Sequence, residues 1–324
     1  MDNRRKKVVT IGGGSGQYVL LSGLRDLANI DITAIVSMVD SGGSTGRLRD
    51  EFGVLPPGDI LKCMLALSPD RDAARKILQK RFNSGGRLDG HSVGNMLLTI
   101  LSQYTGSFSE GVLALGEVLN IKGRVLPVTT DKATLVAELT DGSLLYGETV
   151  IDVPRGDQRE KIKRTYLVPH HSESTDVYPP VIDAIKQADY VIIGPGDIYT
   201  SITPNFLVTG VKEALLDTIG EVIFVANIMT KFGETDSFHS TDFITSIEAF
   251  IDRKVDKAIF NSAIPEEDIL KEYEKQKAKL VEANIGSPWE ERTIIKEDML
   301  NTAGDMARHD SKKLAKLIEK LINT

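Results

Sequence analysis

Cysteine is almost missing from this chain: Cys63 stands alone among 324 residues. No intramolecular disulfide can form, and no Cys/His spacing suggests a zinc site. Aromatic residues are sparse, and no apolar run approaches the roughly 20 residues that a membrane-spanning helix needs. The basic start Arg4-Arg5-Lys6-Lys7 meets only the short run Val8–Ile11, too brief for the apolar core of a secretory signal. These absences predict a cytoplasmic protein without membrane insertion. A positive balance is lacking too, and the net charge of −7 speaks against nucleic acid as a partner.

What is present is organised around Val8-Val9-Thr10-Ile11 followed by Gly12-Gly13-Gly14-Ser15-Gly16. A β-branched apolar tetrad emptying into bare backbone reads as a buried strand and a tight turn. Leu20, Leu24 and Leu27 then recur at helical spacing. Strand, glycine turn and helix together set backbone N–H groups against a phosphate. No Lys-Ser or Lys-Thr pair follows the glycines, so this is no P-loop. Gln17 stands where a dinucleotide fingerprint has its third glycine, which weakens an NAD-dependent oxidoreductase reading.

The second buried run, Thr33–Val39, ends in Asp40-Ser41-Gly42-Gly43-Ser44-Thr45-Gly46. An acid at the tip of a second strand suits a ribose, and the small polar residues behind it form another backbone cradle. Asp59, in Pro56-Pro57-Gly58-Asp59, reads either as a helix cap or, with Asp40, as a Mg²⁺ ligand. His91 and Asn95 open an apolar helix, and His91 is a candidate acid or base. Residues 123–153 alternate around Asp141-Gly142 and predict a small antiparallel hairpin insertion. The strand Tyr190–Ile193 then runs into Gly194-Pro195-Gly196-Asp197, with Tyr199 and Thr200 following. Another strand, Val222–Ala226, runs into Asn227 and Thr230. Residues 264–324 read as a helical C-terminal part carrying Tyr273, a candidate for base stacking, and Arg308, a candidate diphosphate contact. Alternating strands and helices predict a single three-layer α/β/α domain over 1–324, Rossmann-like with a mostly parallel sheet. Its ligand would bind beyond the carboxyl ends of the strands. Pairing of two copies as a homodimer is a habit of this fold class.

Taken together, the Gly12–Gly16, Asp40–Gly46, Pro56–Asp59, Gly90-His91 with Gly94-Asn95, and Gly194-Pro195-Gly196 with Tyr199–Ser201 motifs resemble the YvcK/CofD-like family. The gluconeogenesis-factor branch is the nearer of its two branches. That resemblance implies a cytosolic, UDP-sugar-binding regulator of carbon metabolism and cell shape, UDP-GlcNAc being one such ligand, with Tyr273 and Arg308 as contacts. The other branch implies a Mg²⁺-dependent transferase passing a phospholactyl-type group from a guanylyl-activated donor, which admits GDP or GTP in the pocket; NAD is a further candidate. The chain departs from the first branch at Lys231-Phe232, where Gln-Pro is the commoner pair. It departs from the second at the Asp40 loop, where neighbouring acids are expected.

Overall fold

The computed structural model describes residues 4–83, 85–86 and 88–323. Seven parallel strands form the central sheet: β1 (Lys6–Gly12), β2 (Ile30–Val36), β3 (Arg124–Pro127), β7 (Tyr190–Ile193), β8 (Glu221–Val225), β9 (Lys257–Asn261) and β10 (Thr293–Glu297), in the order β10-β9-β8-β7-β1-β2-β3. Their apolar runs are buried, as strands covered by helices on both faces must be. The expected Rossmann-like α/β architecture is therefore present. From β1 the chain winds outward to β2 and β3, then returns to the other side of β1 through β7. The order thus reverses between β1 and β7, where a doubly wound sheet opens a crevice.

Helix α1 (Ser15–Leu24) follows β1 directly. Gln17, in place of the third fingerprint glycine, is fully buried. Its Nε2 donates to the Ile35 carbonyl at 2.8 Å, and its Oε1 accepts from the Thr10 hydroxyl at 2.5 Å. A polar staple between β1 and β2 replaces the close backbone packing that glycine would allow. Truncating it leaves buried partners unpaired, so Gln17→Ala is expected to cost about 1–3 kcal/mol, read by urea denaturation. A loss within the scatter of surface substitutions would contradict that role.

The small antiparallel sheet comprises β4 (Ala133–Leu139), β5 (Leu144–Tyr146) and β6 (Ile162–Pro169), in the order β5-β4-β6. It spans 133–169 rather than the expected 123–153. Arg124–Pro127 pairs in parallel with Thr33–Val36 and belongs to the main sheet. The third strand lies within a polar stretch and buries only Ile162 and Thr165, too weak an alternation to announce a strand. Residues 264–324 are less helical than expected. Strand β10 completes the central sheet, and Leu300–Asn301 pairs with Arg308–His309 as a two-stranded ribbon. The helix Glu267–Lys275 within this stretch is short, ending just before Lys277 turns to φ +58°.

Candidate functional site

At the crevice, the glycine loop owes its composition to close approach. Gly12, Gly13, Gly14 and Gly16 all lie outside the left-handed region. A Cβ on Gly13 would sit 3.0 Å from Ser201, and one on Gly14 would sit 2.6 Å from the Asp59 carboxyl carbon. The side chain of Gln17 packs against Gly12. The loop is thus clasped between the segments that follow β7 and the start of α3 (Gly58–Leu67). Its outlet is the N-terminus of α1, whose first N–H groups have no partner within the helix. Ser15 and Gly16 there line a cavity of about 510 Å³, together with Gly196, Asp197, Asn227, Thr230, Tyr273 and Arg308. Residues nearly 300 positions apart in sequence meet on one space.

A neighbouring cavity of about 550 Å³ is lined by Asp40, Gly42, Gly43, Ser44, Thr45 and Asn95, with Lys62 and Arg81. Lys62 joins the two spaces, donating to Asp59 at 2.9 Å and to the Ser15 hydroxyl at 3.3 Å. Asp40 accepts from the Gly42 N–H at 2.9 Å. Burial, reinforced by the nearby Asp59 charge, raises its carboxyl above the usual carboxylate range. Two mutually repelling carboxylates make a hard-oxygen pair of the kind that takes Mg²⁺ alongside phosphate oxygens. The fit is chemical: Asp40 and Asp59 would hold the ion.

His91 is 1% exposed, and its Nδ1 lies 3.0 Å from the Ser44 hydroxyl. Asn95 Nδ2 donates to Ser44 at 3.3 Å and to Thr45 at 3.4 Å. These buried groups brace the start of α2 (Gly43–Phe52) from behind. Ser41 turns to the antiparallel insertion, accepting from the Thr149 N–H at 3.1 Å.

On the β7 side, Gly196 donates its N–H to Asn227 Oδ1 at 3.0 Å, which ties two of the expected loops together. Tyr199 points elsewhere, with its ring edge-on to Phe250 and its hydroxyl at Ser246. Thr200 is buried between Asp152 and Glu234, at 3.5 and 3.4 Å. Tyr273 hydrogen-bonds the backbone of Ala307 and lies near Arg308, whose guanidinium touches the Met306 sulfur at 3.4 Å.

Several cavity residues were not legible in the sequence. Lys231 bridges Asp152, Asp197 at 2.7 Å and Glu234 at 3.0 Å. Burial opposes its charge, but the three carboxylates outweigh that and hold the ammonium protonated. Burial pushes the Glu234 carboxyl up to about 7, against the pull of Lys231. Glu148 is likewise pushed up to about 7, by burial and then by Asp40 and Asp152. His309, on the cavity wall, is held down at about 4 by burial. Asp152 arrives from the insertion, and no local pattern marks it. An acidic belt therefore runs from Asp59 through Asp40, Glu148 and Asp152 to Asp197 and Glu234, with Lys62 and Lys231 set into it.

A larger cavity, about 660 Å³, lies at the opposite, amino ends of β1, β2 and β3, among Arg5, Lys7, Lys122 and Arg124. It is remote from every loop described above. Among the described residues, no helix is long and apolar enough to cross a membrane.

The family model for 2-phospho-L-lactate transferase CofD matches residues 8–300. A Thermotoga maritima protein is 40% identical over 321 residues, 97% of this chain and 99% of its own. The Gluconeogenesis factor of Bacillus subtilis is 37% identical, over 98% of this chain and 99% of its own length. A crystal structure of a Bacillus halodurans protein superposes with a TM-score of 0.89 at 34% identity, covering 98% of this chain and 100% of that one.

Proposed function

The chain belongs to the CofD family, and on that premise we propose that it binds a nucleoside diphosphate sugar, UDP-GlcNAc in type, and thereby regulates gluconeogenic growth and cell shape in the cytoplasm. One observation carries the reading: the N-terminus of α1, Tyr273 and Arg308 face a single cavity. Its volume, about 510 Å³, falls within the range of small-molecule and cofactor sites. The diphosphate sits at the first turn of α1, where unused N–H groups and the helix dipole favour an anion. Arg308 offers a planar fork to phosphate oxygens, and Tyr273 offers a face to the base. Asn227 and Asp197 supply polar groups for sugar hydroxyls. Relatives named Gluconeogenesis factor support the physiological half of the proposal.

Thermal-shift titration tests it, with UDP-GlcNAc, GDP, GTP and NAD, each with and without Mg²⁺. At a hundredfold excess over Kd the true ligand stabilises the fold by about 2.7 kcal/mol. Arg308→Ala is expected to weaken that ligand at least tenfold while leaving the unliganded melting temperature unchanged. No shift with any nucleotide would end the proposal.

A second reading, transfer of a group from a nucleoside diphosphate donor, is favoured by the Asp40–Asp59 pair and by the matched family description. Mg²⁺ held by these carboxylates would neutralise charge on a leaving phosphate. Lys62 orients Asp59 and adds a positive charge beside Ser15. Asp40→Asn and Asp59→Asn abolish turnover and Mg²⁺ dependence under this reading. Under the first reading they leave nucleotide binding intact.

A further inference from the structure

We infer that Lys231 is the built-in cation of a three-carboxylate site formed by Asp152, Asp197 and Glu234, occupying the place that a divalent metal ion would otherwise take. Oxygen atoms of the three acids lie within 4.8 Å of one another. They come from three separate segments: the insertion, the loop after β7 and the loop after β8. The ammonium bonds all three, so its three donors are matched by three carboxylates. Thr200 adds a hydroxyl oxygen beside Asp152 and Glu234. Hard oxygens in this number are the donor set of Mg²⁺, Mn²⁺ or Ca²⁺.

A second observation separates this cage from an ordinary surface ion pair. The Glu234 side chain is 1% exposed, and its Oε2 is buried without a hydrogen-bond partner. Arg159 adds a positive charge near Glu234 and Asp152, but its Nε and Nη2 bond neither acid, and one buried Glu234 oxygen is left unused. A lysine carries its charge as a compact point on a flexible stem, the closest a side chain comes to a bound ion. The inference is independent of any nucleotide, because every group it uses belongs to the chain itself.

Mn²⁺ alone is the probe, followed by electron paramagnetic resonance and by equilibrium dialysis for stoichiometry. Lys231→Met keeps the length of the stem and removes the charge. It is expected to bind one more Mn²⁺ per chain than the wild type, at least a hundredfold tighter than any binding the wild-type cage retains. That extra ion should vanish in Lys231→Met/Asp197→Asn and in Lys231→Met/Glu234→Gln. Asp197→Asn in the otherwise wild-type chain should leave the Mn²⁺ count unchanged. Any ion at Asp40 and Asp59 is common to all variants and cancels in the difference. Should Lys231→Met fail to fold in metal-free buffer, folding on addition of Mn²⁺ supports the inference, and failure to fold with Mn²⁺ overturns it. A folded Lys231→Met or Lys231→Gln that takes up no additional ion also overturns it. So does a wild-type chain that loses one Mn²⁺ on Asp197→Asn.

Discussion

Gly16→Ala lowers the melting temperature by roughly 6–12 °C and abolishes ligand-induced stabilisation. The new Cβ would lie 1.9 Å from the Pro195 carbonyl oxygen and 2.7 Å from its carbon. Both are backbone atoms, so no rotamer change relieves the clash; the loop after β1 or the loop after β7 must move. Overpacking of this kind costs about 3 kcal/mol, and each kcal/mol shifts the melting temperature of a large domain by about 2–4 °C. The displaced segment carries the first N–H groups of α1, and a shift of about 1 Å is enough to disable a positioned site. Gly286→Ala is the control, since it has open space around it and an ordinary φ; it should change stability by no more than about 0.5 kcal/mol. Melting and ligand response both at wild-type level in Gly16→Ala would show that the two loops do not meet as described.

The second large effect is on pH. Glu148 and Glu234 have carboxyls pushed up to about 7 in the folded chain, against about 4.3 for a free Glu. A raised folded pKa contributes stability that is complete below the unfolded value and lost as pH climbs through the folded one. Their contribution therefore falls between about pH 4.5 and 7. His309 works in the opposite sense. Its pKa is held at about 4, so its stability is present above the unfolded value of about 6.5 and lost as pH falls toward 4. With His309 subtracted and the part-buried Glu148 discounted, the wild type should lose about 2 kcal/mol of stability from pH 5.5 to 8. Glu148→Gln/Glu234→Gln removes these two acids, and His309 then outweighs the smaller contribution of the raised Asp40 carboxyl. The variant's stability should then rise with pH between about 4.5 and 6.5, a reversal of sign. Chemical denaturation at four or five pH values reads both curves. A double variant whose profile parallels the wild type would contradict the burial of these two carboxyls.

Much of the architecture was legible because its causes are local. Val8–Ile11, Thr33–Val39, Tyr190–Ile193 and Val222–Ala226 are continuous apolar runs that only a sheet covered on both faces can bury. The polar loops at their ends are just where a doubly wound sheet collects a ligand. Gly12–Gly16, Asp40–Thr45, Gly196 and Asn227 therefore stand out in the sequence itself. Strand β6 does not, because its exposed face and its charges erase the alternation. Tyr199 and His91 stand out as well, and what the sequence does not carry is their surroundings: Tyr199 lies edge-on to Phe250 and His91 is buried against Ser44.

The chain alone thus determined the fold class and the side of the sheet on which the loops gather, since both follow from periodicity over a few neighbouring residues. Only the tertiary structure decided why the first loop is glycine-rich, which is the proximity of Pro195, Ser201 and Asp59. It also decided that Lys231 closes on Asp152, Asp197 and Glu234. Close approach and desolvation join residues far apart in sequence, and a pattern read along the chain carries no trace of them.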